Sequence, residues 1–106
     1  MKVYTFLTDG FETVEALAVI DILRRAGIEV ETVSITGNEQ VCSAQNITVK
    51  ADTLFKAQPV CKEDVLFLPG GPGHKQYNEC KPLLKLLEKH HAEGGRIAAI
   101  CAAPSI

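Results

Sequence analysis

Near the amino end two short β-type runs enclose one long helical run, and that spacing narrows the fold more than any other feature of the chain. Lys2–Leu7 (K-V-Y-T-F-L) reads as a strand. Glu12–Ala26 reads as a helix, closed by Arg24-Arg25-Ala26-Gly27, a basic last turn followed by glycine. Between them Thr8-Asp9-Gly10 is a turn, with Thr8, Asp9 or Thr13 available as the helix cap. Glu29–Ile35 (E-V-E-T-V-S-I) alternates with period two and reads as the second strand. A strand, a helix and a strand in that order form a crossover between parallel strands. The helix is apolar almost all round (Ala16, Leu17, Ala18, Val19, Ile20, Ile22, Leu23), broken only by Asp21. Covering a sheet requires only a stripe, so this helix is expected to meet a second surface as well, that of a partner subunit.

The pattern repeats downstream. After a turn at Thr36–Gln40, Val41–Ser43 and Asn46–Lys50 are expected to pair as a hairpin, and Asp52–Ala57 reads as a loop or a single helical turn. Asp64–Leu68 (D-V-L-F-L) is a buried-type strand running into Pro69-Gly70-Gly71-Pro72-Gly73. Lys81–Ala92 is an amphipathic helix with Leu83, Leu84, Leu86 and Leu87, stopped by Gly94-Gly95, and Ile97–Ile100 is a final strand. The order β-α-β-hairpin-β-α-β implies a doubly wound, mostly parallel α/β sheet. No internal repeat, low-complexity tract or linker interrupts it.

Composition excludes several classes. With 106 residues, 46% hydrophobic and 23% charged, and a net charge of −2, the chain reads as one soluble globular unit with no pull towards nucleic acid or anionic membrane. No apolar run is long enough to span a bilayer, and Met1-Lys2-Val3 lacks the apolar core of a signal peptide. The four cysteines (Cys42, Cys61, Cys80, Cys101) form no C-x-x-C pair, which argues against zinc and thioredoxin-like chemistry; no metal is expected, and an intracellular, reducing location is the simplest reading.

The candidate site lies where strands meet small residues. In R-I-A-A-I-C-A-A-P-S-I the apolar run ends at Cys101, and Ala102, Ala103 and Ser105 can open a helix with Pro104 in its first turn. A cysteine among small residues at a strand-to-helix turn resembles a nucleophile elbow, and the positive helix end favours the thiolate. A buried structural cysteine is the plain alternative; four flanking alanines favour Cys101 as the functional centre. Gly70-Gly71-Pro72-Gly73 has neither phosphate-loop nor dinucleotide spacing. It is either a tight turn or, through the Gly71 N–H paired with that of Ala102, an oxyanion hole. Glu15 falls in the first helical turn on the same sheet edge, with Glu12 the competing choice that only geometry separates. His74 follows the glycine loop and is the one histidine expected to approach the site, whereas His90 and His91 read as a solvated helix end. Cys42, Cys61 and Cys80 read as packing or surface thiols.

Together R-I-A-A-I-C-A-A-P, L-P-G-G and G-F-E-T-V-E-A-L…D-I-L-R-R-A-G-I resemble the ThiJ/PfpI superfamily, in its Parkinson-disease-associated deglycase and YajL-like branch, over all 106 residues. The resemblance implies a flavodoxin-like fold of the class I glutamine amidotransferase type, with Cys101 as reactive cysteine, Glu15 as its acidic partner, and Gly71 and Ala102 as oxyanion-hole amides. It implies a homodimer using the first helix, a cytoplasmic oxidative-stress protein, and a cysteine that oxidises readily to the sulfinic acid. The activities it implies are cofactor-independent glyoxalase action on a small 2-oxoaldehyde, deglycation of early glyoxal or methylglyoxal adducts on proteins or nucleotides, or redox-dependent chaperoning. A cysteine hydrolase or peptidase is a more distant alternative. Members of this family continue well past the cysteine, so residues 1–106 are expected to be the amino-terminal part of one domain. A companion carboxyl-terminal chain or missing segment is expected to complete the sheet and to supply any catalytic histidine.

Overall fold

The computed structural model describes residues 1–56 and 58–99, with the backbone alone at His74. Five parallel strands form one sheet in the order β5-β2-β1-β6-β7, where β1 is Lys2–Leu7, β2 Glu29–Ser34, β5 Thr53–Leu54, β6 Val65–Leu68 and β7 Arg96–Ala99. A separate antiparallel hairpin pairs β3 (Gln40–Cys42) with β4 (Thr48–Lys50), Val41 opposite Val49. The helices are α1 (Thr13–Arg25), the short α2 (Lys75–Glu79) and α3 (Lys81–Ala92). The doubly wound α/β expectation holds.

The strands alternate their side chains between two helical layers, as the period of two requires. Val3 of β1, Val30 of β2 and Phe67 of β6 pack with Ile20 of α1 on one face. Tyr4, Phe6, Val33, Leu66 and Leu68 pack with Tyr77, Leu83 and Leu87 of α2 and α3 on the other. Each of these fully buried apolar side chains contributes roughly 1.5–3 kcal/mol, which is why the alternation fixes the register. The register Val3↔Val30 and Val3↔Val65 sets β1 between β2 and β6.

Helix α1 ends in a Schellman arrangement, with Gly27 N donating to Arg24 O (3.1 Å) and Ile28 N to Leu23 O (3.0 Å). Gly27 adopts φ 79°, where a side chain would be strained. Its outer face carries Val14 and Ile22, 69% and 64% exposed. Two expectations change. Asp52–Ala57 is neither loop nor helical turn at its start: Thr53 and Leu54 pair with Val33 and Ser34 as an edge strand. His90 is no solvated helix end; it is buried, 3% exposed, and its Nε2 lies 2.8 Å from Asp64 O, whereas His91 is exposed. The face of an amphipathic helix reaches its last turn, and the α3 face at His90 meets the loop that leads into β6. Strand β7 pairs with β6 alone among the described residues and leaves Ile97 37% exposed. No described helix is long and apolar enough to cross a membrane.

Candidate active site

The carboxyl ends of β1 and β6 lie side by side, and the loops that leave them are locked to each other through the backbone. Glu12 N donates to Gly70 O (2.9 Å) and Gly73 N to Gly10 O (3.0 Å). No side chain fits between. A Cβ on Gly71 would lie 2.6 Å from both Glu12 N and Gly10 O, and one on Gly73 would lie 2.0 Å from Asp9 O. Gly71 also takes φ 118°, outside the range of other residues. The glycines of L-P-G-G-P-G are therefore required by close backbone approach, whatever the loop's chemistry. A 3₁₀ turn, Pro72–His74, follows on the same edge and leads into α2.

Side chains brace this contact from both sides. The Thr8 hydroxyl donates to Gln76 Oε1, and Gln76 Nε2 donates to Asp9 O (3.3 Å). Below it the Tyr77 hydroxyl bonds Phe6 O at 2.8 Å, with Pro69 O 3.3 Å away, and burial raises its pKa above the ordinary phenol value. On the other side the β3–β4 hairpin meets the start of α1. Gly10 N donates to Cys42 O (2.8 Å), Ala44 N to Phe11 O (2.8 Å) and Cys42 N to Asp9 Oδ1 (3.0 Å). Ser43, Gln45, Gln76 and Tyr77 were not among the expected site residues. Their only signal is contact between segments about 30 or 70 residues apart, which no local pattern carries.

Geometry separates the two candidate carboxylates. Glu12 is the cap of α1, which Thr8, Asp9 and Thr13 are not: its Oε1 accepts from Val14 N at 3.4 Å and its Oε2 from Gln45 Nε2 at 3.1 Å. Glu15 lies one turn on, half-buried, with its Oε1 shut off from solvent. Gly71 and the first turn of α1 thus share one sheet edge, the edge where ligands bind in open parallel sheets. His74 shares it by its backbone position. Cys101 and Ala102 lie outside the described residues. Cys42 and Cys80 are half-buried and Cys61 is exposed, all three as free thiols.

The sequence and the fold have known relatives. The DJ-1/PfpI family profile matches residues 1–106. The chain belongs to the DJ-1/PfpI family. It is 38% identical over 106 residues to Protein DJ-1 homolog B of Arabidopsis thaliana, covering 99% of this chain and 24% of that protein. It is 32% identical over 95 residues to a protein of Caenorhabditis elegans named glutathione-independent glyoxalase DJR-1.2, covering 90% of this chain and 50% of that one. Among solved structures, oxidised Toxoplasma gondii DJ-1 superposes with a TM-score of 0.91 at 37% identity, covering 98% of this chain and 57% of the other. The DJ-1/PfpI chain described here therefore spans about half, or less, of the length of these relatives.

Proposed function

We propose that this DJ-1/PfpI chain carries the nucleophilic half of a cysteine-dependent, cofactor-independent glyoxalase, acting on methylglyoxal, glyoxal or their early adducts with proteins or nucleotides. The observation that carries this reading is the backbone interlock of the Gly70–Gly73 loop with the Asp9–Glu12 turn, which sets an amide-bearing loop beside the Glu15 turn at one sheet edge. The name of the nematode relative supports the reaction class. In this scheme the Cys101 thiolate adds to the aldehyde carbon, and the Gly71 and Ala102 amides hold the resulting oxyanion. Glu15 carries a proton from that carbon to the neighbouring carbonyl carbon, so the first is oxidised to a thioester as the second is reduced to an alcohol. Water then cleaves the thioester, releasing a 2-hydroxy acid and the thiol. The protein works as a homodimer through the exposed α1 face in the cytoplasm, and a further segment or companion chain completes the sheet and supplies any catalytic histidine.

The test is methylglyoxal consumption without glutathione. Turnover by the wild type and loss of at least a hundredfold in Cys101→Ser is the expected result. An inactive wild type would sink the enzyme reading. A second reading, a redox-sensing chaperone in which Cys101 oxidation is the signal, is favoured by the oxidised form of the Toxoplasma relative. It predicts a gain of two oxygens on the Cys101 peptide under mild peroxide, with no turnover.

A further inference from the structure

We infer that Gln45, at the tip of the β3–β4 hairpin, is a positioning residue of this site: it locks the first turn of α1 and holds Glu12 aside, so that Glu15 is the carboxyl presented to the reaction. The inference rests on the reading above and deepens it. Glu12 and Glu15 are three residues apart and lie on one side of the helix start, where carboxylates compete for the same ground. On the reading above, an uncommitted Glu12 would add a second negative charge at the edge proposed for the thiolate and raise the cost of forming it.

Gln45 uses both ends of its amide against the helix start. Its Oε1 accepts from Thr13 N (3.2 Å) and from the Thr13 hydroxyl (2.7 Å), satisfying one of the donors a helix leaves unpaired at its first turn. Its Nε2 donates to Glu12 Oε2 (3.1 Å), while Glu12 Oε1 takes Val14 N. The tip that carries Gln45 is shaped for this. Ser43 Oγ, buried, accepts from Gln45 N (3.3 Å) and Ile47 N (3.1 Å) and lies 2.6 Å from the Thr13 hydroxyl oxygen, to which its own O–H is free to donate, and Asn46 takes the left-handed φ of 62°. Asp9, a further carboxylate on this edge, is held by Cys42 N of the same hairpin. Gln45 itself is exposed, so it is present for these bonds and not for packing. The hairpin is thus a strap that fixes which carboxyl faces the reaction.

The experiment uses the purified full-length protein and compares wild type with Gln45→Ala. The expected result is a five- to tenfold fall in kcat on methylglyoxal, roughly the effect of a small misplacement, with KM within about twofold and a melting temperature that falls but stays well above the assay temperature. The acid limb of the kcat profile moves to higher pH, because the released Glu12 charge disfavours the thiolate, and Glu12→Gln on the Gln45→Ala background moves it back. Unchanged kcat and pH profile would overturn the inference, as would a fall in kcat that merely follows lost thermal stability. Should the wild type show no turnover, the proposed reaction fails separately. The rate at which iodoacetamide alkylates Cys101 against pH, read by peptide mass, then tests the positioning alone. A profile identical in wild type and Gln45→Ala overturns it, and a profile shifted to higher pH in the variant supports it.

Discussion

The two ends of the parallel sheet are held by different means. At the carboxyl edge the backbones of residues 9–12 and 70–73 touch directly, with glycine hydrogen in place of side chains. At the amino edge, side chains tie the elements together. Asp64 is buried and accepts from Lys2 N (2.9 Å) and Cys61 N (2.8 Å), while its carbonyl oxygen meets His90 Nε2. Lys2 Nζ reaches Glu31 Oε1 at 2.7 Å, and that bond raises the lysine pKa above its ordinary value. Backbone contact cannot be adjusted by a rotamer. Side-chain ties are individually replaceable. The glycine contact at the carboxyl edge is therefore intolerant of substitution, and the opposite edge is graded.

The strongest break of that contrast is Gly73→Ala, whose Cβ would enter Asp9 O. A loss of about 3 kcal/mol or more is expected in urea unfolding, because the obstacle is backbone on both sides. At the amino edge, His90→Ala removes a buried ring and leaves Asp64 O without its partner; about 2–3 kcal/mol is expected from the same measurement. If His90→Ala proved costlier than Gly73→Ala, the contrast between the edges would fail. Tyr77→Phe, which keeps the ring and loses the bond to Phe6 O, should cost about 1–1.5 kcal/mol. Arg25→Ala, at an exposed pair with Asp21, should leave the denaturation midpoint where it is, since such pairs are solvated and screened.

Alkaline pH sharpens the comparison. Burial raises the pKa of Tyr77 and Tyr4, and Glu31 raises that of Lys2. For each group the folded state keeps a proton that the unfolded chain releases above the ordinary value of about 10. Stability is thus fully present below pH 10 and falls as pH rises beyond it. Unfolding midpoints measured between pH 8 and pH 11 should be flat at first and then decline, and the decline should be shallower in Tyr77→Phe.

Much of this was legible in the residues. The run K-V-Y-T-F-L gives β1 to the residue, and the leucines of Lys81–Ala92 with the following glycines give α3, because each pattern is local and strong. Strand β5 escaped notice: it is two residues long, with Leu54 exposed, and it exists through its pairing with Val33 and Ser34. His90 reads as a surface position because histidine suits the last turn of a helix by charge, and the local pattern does not say which side meets a neighbour. Glu15 and Gly71 were both expected at the carboxyl edge and both lie there, but the bracing by Ser43, Gln45, Gln76 and Tyr77 was not foreseen.

Sequence alone determined the fold class and the family, since periodicity, turn residues and short motifs act within a few residues of one another. Only the tertiary structure decided which of Glu12 and Glu15 serves as the cap, why Gly71 and Gly73 admit no side chain, and what His90 holds. Those outcomes depend on atoms from distant parts of the chain brought into hydrogen-bond or van der Waals contact, and no local pattern encodes such a contact.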